Sequence, residues 1–200
     1  MASLMDFLGD SLDEGTVAQI GQQVGLDPQT AQSAISAAIP MIVAGLARNA
    51  SQPQGADALH GALERDHDGS LLDDLGGFLG SGAASSIGGA ILGHVFGGRR
   101  GTMEDTLGRG TGLDGASAAR LLAILAPIVM AALGKARAQN GLDGGGLTDL
   151  LGSERARMQQ ASPDAFGMLS GILDSNGDGS IADDVTRLGG GLLGSLFGKR

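Results

Sequence analysis

The stretch GLDGASAARLLAILAPIVMAALGK, Gly112–Lys135, decides how this chain is read. Fourteen consecutive residues within it, Leu121 to Gly134, carry no charge and no polar side chain, so a helix here is apolar on every side. Such a helix is buried in a protein core or crosses a bilayer. Crossing takes ~20 apolar residues. This run is shorter and has Pro127 inside it, so it reads as a buried helix and not as a transmembrane segment. Proline removes one helical hydrogen bond and crowds the preceding turn, so a kink or a division into two helices is expected there.

Working outward, GLDPQTAQSAISAAIPMIVAGLAR from Gly25 matches that stretch at an offset of 87 residues, with Pro40 opposite Pro127. Its apolar run, Ala34 to Ala47, is again 14 residues long. Asp27 is expected to cap the helix, Pro28 to take its first position and Gly25 to close the helix before it. LHGALERDHDGSLLDDL from Leu59 matches LSGILDSNGDGSIADDV from Leu169 at offset 110, and AILGHVFGGR from Ala90 matches GLLGSLFGKR from Gly191 at offset 101. Three matches in one order predict an internal duplication, with a boundary near Arg100. A first helical copy with an N-terminal helix would occupy residues 1–100, and a second, with an inserted helical segment near 138–160, residues 101–200. Two units are too few for a solenoid, so the copies are expected to pack on each other. No sustained alternation marks a strand. The expected fold is all-α, a pseudo-duplicated array of short helices.

Composition narrows the chemistry. With 42% hydrophobic residues in a chain of 200, a core can form without staples. Five Phe and no Trp or Tyr mean that Ala, Leu, Ile, Val and Met must fill it. The absence of cysteine removes disulfides, thiolate metal sites and thiol nucleophiles. A net charge of −9 repels phosphate backbones, and the lack of aromatic platforms removes base stacking, so nucleic acid is not an expected partner. The N-terminal MASLMDFLGDSLDE has no basic region of a secretory signal, so a cytoplasmic location is expected.

Gly makes up 37 residues, and part of that total falls in a pattern. Gly89, Gly93 and Gly97, and again Gly190, Gly194 and Gly198, are spaced by four, which places each set near one face of a helix where another backbone can approach. The contact could be internal, between the two copies, or between chains.

The segment DSNGDGSIADDV raises the question of calcium. Asp174, Asn176 and Asp178 stand at the first, third and fifth positions of a calcium loop, with Gly179 at the turn and Ile181 at the apolar position. The bidentate Glu of the twelfth position is replaced by Val185, although Asp183 and Asp184 precede it. Ser180 with Asp183 reads equally as a helix-capping box, and Ser70 with Asp73 repeats the pattern. Calcium held by Asp174, Asn176, Asp178, Ser180, Asp183 and Asp184 is therefore one expectation and a simple helix start the other. In the first copy Glu64, Asp66 and Asp68 alternate with Arg65 and His67, which could neutralise them. No catalytic constellation is legible: His60 and His67 have the wrong spacing for a helical zinc pair, and no serine sits in a nucleophile elbow.

In DGSLLDDL and DGSIADDV, followed by AILGHVFGGR and GLLGSLFGKR, the sequence resembles the bacterial YidB-like family known as domain of unknown function 937. The resemblance takes in most of residues 16–200 and implies an all-helical fold, with no activity, cofactor or catalytic residue to carry over. The expected function is that of a non-catalytic helical protein, not an enzyme, that self-associates or binds another protein. The alternative is a calcium-binding module using the Asp174–Asp184 loop.

Overall fold

The computed structural model describes residues 3–161. Its helices are α1 (Leu4–Ser11), α2 (Glu14–Val24), α3 (Pro28–Ala50), α4 (Pro53–Arg65), α5 (Leu75–Gly80), α6 (Ala84–Phe96), α7 (Arg100–Thr111), α8 (Gly115–Asn140) and α9 (Gly144–Ala161). Short 3-10 turns at Ser70–Asp74 and Gly97–Arg99 complete the set, and no strand occurs among the described residues. The all-α expectation is met. Residues 1–158 form one compact unit and 159–200 a second. The division expected near residue 100 falls at the start of α7, inside the first unit.

The decisive stretch becomes α8, and α8 is the hub. It packs against α1, α2, α3, α4, α6, α7 and the Ser70–Asp74 turn, so every residue from Leu121 to Gly134 is buried. Burying a Leu or Ile side chain contributes ~1.5–3 kcal/mol, and α8 does this around its whole circumference. Its companion α3 touches α2, α4, α6, α7 and α8 and buries Met41 through Ala47 without a break. At 23 and 26 residues, α3 and α8 extend well past their 14-residue apolar runs. By length and composition alone both could cross a membrane; within this fold 67% and 78% of their most apolar windows are buried.

The two prolines do not divide their helices, which run unbroken through Pro40 and Pro127. Pro127 cannot donate to the Ala123 carbonyl one turn back. The backbone of Gly88 in α6 presses on that same carbonyl so closely that a Cβ there would overlap the Ala123 oxygen. A neighbouring backbone thus occupies the position left by the missing hydrogen bond, and a glycine Cα hydrogen against a carbonyl is a weak favourable contact.

Gly-Leu-Asp is the recurring helix junction. Gly25 and Gly112 close α2 and α7 in the left-handed conformation, while the carboxylates of Asp27 and Asp114 accept from the first amides of α3 and α8. A third copy, unremarked in the sequence, joins α8 to α9: Gly141 has φ +62°, and Asp143 Oδ1 accepts from the Gly146 amide at 2.8 Å. Glycine adopts that conformation at no steric cost, and the aspartate satisfies an otherwise orphaned helical amide. The likeness of the two long helices extends through their caps and internal prolines, but it does not confirm the wider duplication. The segments aligned from Leu169 onward lie outside the described residues.

Candidate interaction site

α4 and α6 each rest on both α3 and α8, and between them lies a groove of about 850 Å³. Its floor is Leu46 of α3 and Met130 of α8, both buried. Alanines wall it: Ala58 and Ala62 from α4 and Ala90 from α6. Ile87 stands on the α6 side, 39% exposed, one of the two large apolar side chains left in water among the described residues. Neutral amides, Asn49, Gln52 and Gln54, also line the groove. Arg65 and the adjacent Asp66 line it too, with opposite charges.

The helix beside it has an unusual makeup for an acidic chain. ASSIGGAILGHVF, the whole of α6, contains no Asp, Glu, Lys or Arg. One side of α6 packs inward through Ala84, Gly88, Ile91, Leu92 and Phe96, leaving Ser85, Ser86, Ile87, Ala90, Gly93 and His94 exposed.

The expected interface glycines fall on this helix and at its end. Gly89 is half-buried, and its carbonyl accepts from Arg100 Nη1 at 3.3 Å. Gly93 is exposed, with nothing among the described residues within 4 Å of where a Cβ would stand. Gly97 terminates α6 at φ +53°, also in open space. The glycines that other elements approach closely are different ones: Gly88 against Ala123, Gly45 against Phe96 and Val95, Gly134 against the His67 carbonyl. Gly190, Gly194 and Gly198 lie outside the described residues, as do Asp174, Asn176, Asp178, Ser180, Asp183 and Asp184.

The first acidic loop is described, and its carboxylates serve local partners. Glu64 Oε1 accepts from Arg137 at 2.9 Å, Asp73 pairs with Lys135 at 3.4 Å, and Asp74 accepts from the Gly77 amide at the start of α5. Asp68 accepts from the Ser70 amide at 3.0 Å, and bonds from the Ser70 hydroxyl and amide hold its carboxyl below the usual range. Two corrections follow. The Ser70–Asp73 capping box does not form, because Asp68 reaches Ser70 first and Asp73 turns to Lys135. The cations that neutralise Glu64 and Asp73 are Arg137 and Lys135 of α8, brought in by tertiary packing.

That packing is close. The His67 carbonyl lies on Gly134, and Gly69, at φ +103°, lies on Lys135. Partial burial pushes the His67 imidazole below its ordinary pKa, against the pull of Asp66. His60 faces Arg137 and Glu64, at 3.4 and 3.8 Å. Among the described residues no group of three His, Asp or Glu is arranged to hold a metal ion.

The groove had no counterpart in the sequence reading, because its lining comes from four helices. The one linear signal was the charge-free run of α6.

A family model described as bacterial protein of unknown function (DUF937) matches residues 6–136. The match takes in DGSLLDDL and AILGHVFGGR and ends before DGSIADDV. No curated protein and no solved structure matches.

Proposed function

This chain belongs to the bacterial DUF937 family, whose function is unknown, and from that premise we propose that it is a non-catalytic helical protein working by association with another polypeptide, its own second copy first of all. The observation that carries this reading is the outward face of α6, uncharged in a chain of net charge −9 and bearing exposed Ile87. Two acidic chains repel one another over most of their surface. An uncharged face is where that repulsion is least. Gly93 adds a place where another backbone can come close.

Sedimentation velocity over a concentration series tests this. Wild type should form a larger species as concentration rises, and Gly93→Leu should remain a single chain with unchanged helicity. The same is expected of Gly194→Leu. Assembly that survives both substitutions defeats the reading, and so does loss of folding in both. The calcium alternative rests on ligand spacing in Asp174–Asp184. Titration calorimetry on chelator-stripped protein decides it, since saturable heat with calcium that disappears in Asp178→Ala is required.

A further inference from the structure

We infer that the groove between α4 and α6 is the socket for Ile87 of a second copy of this chain, in a two-fold arrangement in which each copy gives one isoleucine and receives one. This rests on the association proposed above and names its geometry. Three observations meet here. Ile87 is a large apolar side chain left 39% exposed beside a groove that it does not fill. The groove has an apolar floor in Leu46 and Met130 and walls of alanine, so its shape leaves room for one branched aliphatic side chain from outside. Its charges balance, Arg65 against Asp66, and the approaching helix has none, so a copy of α6 meets no repulsion and strands no ion. Knob and socket on one surface are what a two-fold interface requires, because the same patch must serve both partners.

The test uses the full chain and sedimentation equilibrium. Ile87→Ser removes the knob, and Ala58→Trp fills the socket from an exposed position on α4. Each should raise the dimer dissociation constant at least tenfold with far-UV circular dichroism unchanged. Met5→Ser, at the other exposed large apolar residue, should leave it unaltered. Mixing the knobless and the filled variants should restore no dimer, since the Ile87→Ser chain offers no knob and the Ala58→Trp chain offers no socket. A dimer that persists in Ala58→Trp but is lost in Gly93→Leu overturns the socket while leaving association through α6 intact. A wild type that stays a single chain at every concentration overturns both.

Discussion

Gly88 and Gly93 lie in one helix and are glycine for opposite reasons. At Gly88 a methyl group would overlap the Ala123 carbonyl, which belongs to the backbone of a helix held on all sides and cannot step back. Gly88→Ala should therefore destabilise the fold by ~1–3 kcal/mol, the usual cost of overpacking a core. At Gly93 a methyl group meets open space, so Gly93→Ala should stabilise by up to ~1 kcal/mol through helix propensity and a less free unfolded chain. Urea unfolding followed by circular dichroism measures both, as the chain has no Trp or Tyr to report by fluorescence. Equal effects of one sign would refute the assignment of Gly88 to a contact and Gly93 to a surface. The sequence marked Gly89, Gly93 and Gly97 by their spacing, but spacing names a face without saying what faces it. The contact falls on Gly88, one residue away, because the inward side of α6 is set by Ala84, Ile91, Leu92 and Phe96.

Helix junctions were the most legible elements, because their chemistry is local. Gly25, Asp27 and Pro28 take the roles that a cap, a first position and a left-handed stop demand, and the same logic applied to Gly141-Leu142-Asp143 would have found α9. Ser70 and Asp73 failed as a box since a cation from distant α8 outcompeted the local partner, which no local pattern reveals. The caps also titrate. Bonds from the Thr30 hydroxyl and amide hold Asp27 below its ordinary pKa, and bonds from the Ser117 amide and hydroxyl do so for Asp114. A carboxyl lowered by folding leaves the folded state with fewer bound protons than the unfolded one. Its stabilisation is thus full above the ordinary pKa of ~3.9 and is lost as pH falls through the lowered value. The double variant Asp27→Asn/Asp114→Asn keeps two acceptors without the titration, so its melting temperature should fall less steeply below pH ~4 than that of wild type. His67 is a base lowered by burial, so the unfolded chain takes up its proton first and stability declines as pH drops below ~6.5. His67→Gln should remove that decline, and a parent and variant with parallel melting curves from pH 7 to 5 would show that His67 is not the group responsible.

At the scale of the molecule, the 14-residue apolar run was enough to announce an all-helical fold with a helix at its centre, since no other placement satisfies a helix apolar on every side. What it could not announce was the groove, whose lining is assembled from α3, α4, α6 and α8 by packing alone. Enclosure of α8 by six helices has a thermodynamic consequence. No local opening can expose the amides between Leu121 and Gly134 without separating several helices at once, so they should exchange with solvent only when the unit unfolds. Short α5, at 6 residues, holds to its surroundings chiefly through α2 and the Ser70–Asp74 turn and should open by itself. Native-state hydrogen exchange in increasing denaturant should give α8 amides an opening free energy equal to global stability and α5 amides a smaller one. Leu125→Ala, at a fully buried site in α8, should lower global stability by ~2–5 kcal/mol and carry the protection of α8 down by the same amount. Protection in α5 should stay where it was until the global value falls to meet it. An α8 that exchanges as readily as α5 would mean that these helices do not share one cooperative core, and that enclosure of α8 does not bind them into a single folding unit.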